Sequence, residues 1–362
     1  MLSPRETVLA VPAYHPPLAG RNGLRLDFNE NTVGCSPRVL EKLRHMTADD
    51  STKYPERQVV EAAVAEFLKV NATETLLTNG VDEAIHLLCQ TYLGTGNEAL
   101  ILVPSYSMYR IYAVAAGANV IGIPLAENFR FPVNELRERI TPRTRLIAVA
   151  NPNNPTGTVA TPDQLLQIIR SAPDAAVLVD EAYFEFYGQT MLDCRIDSPN
   201  LFVARTFSKA YGMAGLRVGV LVGDAGQMNS VRLVASPYNV NAVALACVPE
   251  AIRDQAYLAE YVEGVLEARV RLQTMLAALG VEFWSSEANF VLLRVGASKE
   301  DSARFVKAMR CRGILVRDRS SDHGCEGCVR ITLGPKEHAD RLLETLPSAI
   351  EECGIAQGAS RR

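Results

Sequence analysis

One lysine of this chain stands where covalent chemistry would be at home. Arg205–Gly219 reads Arg-Thr-Phe-Ser-Lys-Ala-Tyr-Gly-Met-Ala-Gly-Leu-Arg-Val-Gly. Lys209 thus follows two hydroxyls, Thr206 and Ser208, and precedes a second cation, Arg217. Hydroxyls and cations together suit a phosphate, and Gly212, Gly215 and Gly219 leave room for close approach to the backbone. A lysine amine can also form a Schiff base with a carbonyl. An ordinary phosphate loop would not need this order, and taken alone the stretch also fits a surface turn with scattered charges.

The elements around it narrow the choice. Short apolar runs occur at Leu100–Val103, Val120–Ile123, Leu146–Ala150, Ala176–Val179, Leu201–Ala204 and Val218–Val222. Helical stretches separate several of them, notably Ser105–Ala116 and Thr161–Arg170, the latter with Thr161 as cap and Pro162 in the first turn. Runs apolar on both faces and interleaved with helices predict a three-layer α/β unit with a mostly parallel sheet. Ligands of such sheets bind beyond the carboxyl ends of the strands. There the sequence places Asn-Pro-Asn-Asn-Pro-Thr-Gly at 151–157, Asp180-Glu181-Ala182-Tyr183 and the Lys209 stretch. Gly80-Val81-Asp82 opens a further helix, whose free N–H groups suit either an acidic cap or an anion.

Beyond Gly223 the regularity fades. Ala235–Asn241 reads as an interdomain turn, and a long helix from about Gln255 to Leu279 follows, interrupted at Gly264 and supported by a Glu267–Arg271 pair. Strands are expected at Val281–Trp284, Phe290–Val295, Ile314–Arg317 and Cys328–Leu333, with a closing helix through Leu342–Glu352. These predict a smaller α+β domain. Residues 1–35 read as a proline-containing arm contributing to that domain, with a strand-like Leu26–Asn31; residues 36–240 form the large domain and 241–362 the small one.

Composition limits the function classes. A chain of 362 residues exceeds the usual single core, which also favours two domains. Its 37 Lys and Arg against 41 Asp and Glu, a net charge of −4, offer no attraction to nucleic acid or an anionic membrane. With no bilayer-length apolar run and no export-type beginning, the expectation is a soluble cytoplasmic protein. Of eight cysteines only Cys325 and Cys328 have ligand-like spacing, and one such pair nominates no metal site.

Each strand-end group has a task if the ligand is a pyridine aldehyde phosphate. An aspartate keeps the ring nitrogen protonated, while a tyrosine and an asparagine hold the ring oxygen. Hydroxyls, an arginine and helix N–H groups take the phosphate. The lysine takes the aldehyde. The combination Asn-Pro-x-Asn-Pro-Thr-Gly, Asp-x-x-Tyr and Ser-Lys-x₇-Arg resembles the fold type I pyridoxal-phosphate-dependent aminotransferases. From Asp27-Phe28-Asn29-Glu30-Asn31 to Cys328–Gly334, the chain is most similar to the histidinol-phosphate aminotransferase branch.

The resemblance implies pyridoxal 5'-phosphate on Lys209, Asp180 at the ring nitrogen, and Asn154 and Tyr183 at the ring oxygen. It implies Tyr106 stacked on the ring, and the backbone of Val81 and Asp82 with Thr206, Ser208 and Arg217 at the phosphate. Tyr54 would reach the cofactor of a neighbouring subunit, which implies a homodimer with shared sites. Arg330, joined by Arg317 and Tyr14, would hold the substrate. The reaction implied is transfer of an amino group from histidinol phosphate to 2-oxoglutarate. The alternatives are an aromatic or other amino donor, phosphothreonine decarboxylation on the same scaffold, and a binding protein without turnover. Thr32, where the family often has proline, and the loop Ser320–Gly327 depart from the common pattern.

Overall fold

The computed structural model describes residues 2–14 and 17–355. Its strands, in chain order, are β1 (Leu24–Arg25), β2 (Thr75–Thr78), β3 (Glu98–Val103), β4 (Asn119–Pro124), β5 (Thr144–Ala150) and β6 (Ala176–Asp180). They continue with β7 (Leu201–Thr206), β8 (Gly219–Gly223), β9 (Phe290–Arg294), β10 (Ile314–Leu315), β11 (Arg317–Asp318) and β12 (Cys328–Thr332). Seven make one sheet in the order β2-β8-β7-β6-β5-β3-β4. The pairs from β7 to β4 are parallel, and β8 is antiparallel to both of its neighbours.

Alternation of side chains along these strands divides the core. In β5, Leu146, Ala148 and Ala150 enter one apolar cluster, with Val81, Ile85 and Tyr109 from helices Gly80–Tyr92 and Ser107–Ala115. Ile147 and Val149 enter the opposite cluster, which continues through Phe290, Val291, Ile314 and Ile331 of the later strands. Thus one face of the large sheet is packed against the part of the chain that carries the smaller sheets. Helix Pro162–Ser171 begins as expected: Thr161 accepts from the Gln164 N–H in a capping box, with proline in the first turn.

The later strands form a β11-β12-β9 antiparallel sheet, and β1 pairs in parallel with β10. The extended run expected at Leu26–Asn31 therefore lies earlier, at Leu24–Arg25, and Asn29 at φ 56° is not extended. Val281–Trp284 contributes only a single bridge, Phe283 to Leu293. Helix Ala242–Arg253, which periodicity did not reveal, contains Pro249 and directly precedes the long helix Gln255–Ala278. The long helix is unbroken at Gly264, where a Cβ would stand 3.0 Å from Pro335 Cβ; glycine here permits close packing. Arg271 pairs with Asp340 at 2.6 Å, tying this helix to Lys336–Glu352 in place of the expected Glu267 contact.

Among the described residues no helix is long and apolar enough to cross a membrane.

Candidate active site

The carboxyl ends of β5, β6 and β7 lie side by side, with Asp180 opposite Ala150 on one neighbour and Ala204 on the other. Beyond them opens a cavity of about 210 Å³. It is lined by every residue that the motifs nominate except Tyr54: Tyr14, Val81, Asp82, Tyr106, Asn154, Asp180, Tyr183, Thr206, Ser208, Lys209, Arg217, Arg317 and Arg330.

Asp180 closes β6 and is buried. Its Oδ2 accepts from Tyr109 Oη at 2.6 Å and its Oδ1 from the Ala182 N–H at 3.0 Å. Burial pushes the carboxyl up to about 6, against the lowering effect of these two bonds. Lys209 Nζ donates to the Phe28 carbonyl at 3.0 Å. Burial, with Arg330 and Arg217 as neighbouring cations, brings its amine down to about 8 despite the opposing pull of Glu30 and Asp82. One cavity thus holds a carboxylate ionised at neutral pH and an amine that deprotonates readily.

A different chemistry occupies the start of helix Gly80–Tyr92. Its cap residue, Asn79, makes no side-chain capping bond, so the first-turn N–H groups remain available at the positive end of the helix dipole. Arg217 Nη2 reaches Asp82 Oδ2 at 3.1 Å, and Tyr106 Oη donates to Asp82 Oδ1 at 2.7 Å. Gly80 is required here: its φ is 73°, and a Cβ would stand 2.5 Å from Arg217 Nη2. Thr206 at the end of β7 and Ser208 just beyond it line the same cavity, so the group has the donors and the cation that an anion would take.

Besides Arg217, three arginines share the cavity: Arg317 on β11, Arg330 on β12, and Arg319. Arg319 pairs with Asp322. Arg330 is buried, and its bonds go to neutral oxygens, the Asp27 carbonyl at 2.9 Å and Asn154 Oδ1. Burial and the nearby Arg319 lower its guanidinium to about 9. Arg317 and Arg21 both lie against the Phe28 ring, at 4.9 and 4.5 Å from its centroid. Arg21 is neutralised by Asp27 and Glu30, whereas among the described residues no carboxylate pairs with Arg317 or Arg330.

Tyr14, from the arm, lines the cavity and is 41% exposed. Tyr54 lies elsewhere, 77% exposed and stacked on Tyr238 with centroids 4.1 Å apart. Cys325 and Cys328 are buried with Phe129, Trp284 and Leu292. Among the described residues no group of three His, Cys, Asp or Glu is placed to hold a metal.

Motif reasoning missed Phe28, Asn29, Tyr109 and Arg319. Two had a signal. Tyr109 follows Tyr106 by three residues at a helix start, and Arg319 follows Arg317 by two along extended chain, so each is expected beside a nominated residue. Asn29 lies in the matched segment Asp27–Asn31, but nothing in the sequence marked its contact with Tyr183, whose Oη accepts from its Nδ2 at 2.8 Å across 154 positions.

Known proteins resemble this chain in sequence and in fold. The family model for class I and II aminotransferases matches residues 21–346. A histidinol-phosphate aminotransferase of Thermoanaerobacter sp. (strain X514) is 34% identical over 331 residues, 90% of this chain and 93% of the relative. The crystal structure of the Sinorhizobium meliloti histidinol-phosphate aminotransferase in complex with pyridoxal-5'-phosphate superposes with a TM-score of 0.87 at 24% identity, covering 96% of this chain and 97% of that one. The Thermus thermophilus aspartate aminotransferase with maleate reaches 0.82 at 24% identity, over 96% and 100% of the two chains. The backbone alone is therefore common to enzymes named for different donors. The chain belongs to the class I and II aminotransferase family.

Proposed function

We propose that this chain is a pyridoxal-phosphate-dependent aminotransferase that moves the amino group of histidinol phosphate to 2-oxoglutarate. The observation that carries the substrate choice is the pair Arg317 and Arg330, two cations in the cavity wall without a carboxylate partner among the described residues. Cations so placed favour an anionic group on the substrate, a phosphate on the donor and a carboxylate on the acceptor. The 34% identity to an enzyme named for histidinol phosphate supports that phosphate-bearing donor.

The residues fit the cofactor. The first turn at Gly80–Asp82, Thr206, Ser208 and Arg217 would take its phosphate, with Arg217 exchanging Asp82 for a stronger anion. Asp180 would face the ring nitrogen and stay ionised there, since a positive neighbour opposes the upward push of burial. Tyr183 and Asn154 would hold the ring oxygen, and Tyr106 would cover the ring face. When bound, the cofactor supplies an electron-poor ring that accepts the electron pair left at Cα as its proton departs. Lys209 Nζ, lowered to about 8, takes the Cα proton of the donor and later returns one. Arg330 and Arg317 orient the donor's phosphate or the acceptor's carboxylate. Tyr14, from the arm, would contact the substrate from the cavity wall.

The working unit under this reading is a homodimer in which Tyr54 serves the partner's site. We also propose the division into arm, large and small domains at residues 35 and 240; the β1–β10 pairing supports assigning the arm's end to the small domain. The deciding experiment presents histidinol phosphate, phenylalanine, tyrosine and phosphothreonine to the pyridoxal form and follows conversion to the pyridoxamine form by absorbance. Histidinol phosphate should convert fastest by at least tenfold, about what one charge-assisted contact confers. Faster conversion by an unphosphorylated aromatic donor, or carbon dioxide release from phosphothreonine, would overturn the substrate choice.

A further inference from the structure

Asn29 lines the cavity and is 1% exposed. Its backbone is left-handed, which asparagine tolerates better than most side chains. Three bonds hold it there: its N–H donates to Thr332 Oγ1 at 3.0 Å, its Oδ1 accepts from that hydroxyl at 3.1 Å, and its carbonyl accepts from Asn289 Nδ2 at 3.2 Å. The remaining group, Nδ2, donates to Tyr183 Oη at 2.8 Å.

The proton count sets the amide's orientation. Thr332 is fully buried, and its hydroxyl has a single proton to give. With Asn29 Oδ1 toward Thr332, that proton has its acceptor and Nδ2 must face Tyr183. Reversed, the hydroxyl would meet two donors, and its proton would lose that acceptor inside the protein, which is costly. Because the Tyr183 oxygen accepts from Nδ2, its own proton is turned away from Asn29.

We infer that Asn29 is a positioning residue that commits Tyr183 to donate its proton into the cavity, toward the ring oxygen of the cofactor. A phenol that accepts one hydrogen bond donates a stronger one, so Asn29 also strengthens the bond it directs. Thr332 stands two residues after Arg330 on β12, so the strand that carries the buried cation also sets this amide. The inference rests on the pyridoxal phosphate reading above.

The test titrates cofactor-free protein with pyridoxal phosphate and records the pH at which the bound cofactor's absorption changes. Asn29→Ala should weaken binding about fivefold, the worth of one hydrogen bond, and move that pH upward, because a weaker donor stabilises the ring oxygen's negative charge less. Asn29→Asp, nearly the same shape but an acceptor, should recapture the Tyr183 proton and weaken binding about tenfold, more than alanine does. In a Tyr183→Phe background both effects should vanish. A carboxylate variant that binds as well as native protein, or losses equal in both backgrounds, overturns the inference. Thr332→Val, which removes two of the three bonds that hold Asn29 and frees its amide to turn, should raise the same pH; no change there also counts against it. This variant carries the test should Asn29→Ala fail to fold. Native protein that binds no pyridoxal phosphate overturns the functional reading itself, whereas normal native binding with indifferent variants overturns only the role of Asn29.

Discussion

Tyr109 gives its phenol proton to a carboxylate that water barely reaches. Burial raises Asp180 to about 6, and the Tyr109 bond opposes that rise. Tyr109→Phe should therefore move the acid limb of the kcat/KM profile to higher pH. It should also lower kcat about tenfold, since bonds to charged groups are worth about 1.5–3 kcal/mol. An unchanged acid limb in the pH–rate profile would mean that Asp180 does not depend on this bond. Lys209 gives a second pH signature. Its amine must be neutral to attack an aldehyde, and burial brings it to about 8. Uptake of pyridoxal phosphate by cofactor-free protein should speed up with pH below about 8 and level off above it, as stopped-flow absorbance can follow. A rate that keeps rising toward pH 10 would place the amine at its ordinary value.

At the scale of elements, the proposed phosphate seat depends on how helix Gly80–Tyr92 begins. Gly80 supplies φ 73° and leaves space for the Arg217 guanidinium beside the first turn. Gly80→Ala imposes left-handed strain of about 1–2 kcal/mol and displaces Arg217. Pyridoxal phosphate should bind about tenfold more weakly, measured by equilibrium dialysis, with inorganic phosphate a weaker competitor as well. Equal affinity for both proteins would remove Arg217 and this turn from the seat. The strands matter in the same way: β11 and β12 are paired so that Arg317 stands opposite Arg330, which brings two cations together without either contacting an acid.

For the molecule as a whole, the position of Tyr54 is informative. It lies outside its own chain's cavity, on an exposed surface stacked with Tyr238, which suits a residue that acts on a second copy. Under the shared-site dimer proposed above, Tyr54→Ala on one subunit and Lys209→Ala on the other fall in the same site of a mixed dimer. Unfolding and refolding the two variants together should give activity above the sum of the parents, because one site then carries neither change. No recovery, with dimers present by sedimentation, would place Tyr54 outside the site.

Much of this was legible before any coordinate. Alternating apolar runs dictated the parallel sheet, since strands buried on both faces leave few other packings, and strand-end positions gathered Asn154, Asp180, Tyr183 and Lys209. Local spacing also marked the Gly80 helix start and the Thr161 cap. Less was legible where backbone order outran periodicity: a proline masked helix Ala242–Arg253, and Gly264 suggested a break where it serves close packing. Tertiary structure alone decided the charge balance of the cavity, because Arg21 finds its acids and Arg317 does not. It also decided the contact of Asn29 with Tyr183. Such contacts join residues far apart in the chain, and their strength depends on burial and on which neighbours remain unpaired. Neither quantity exists until the chain is folded.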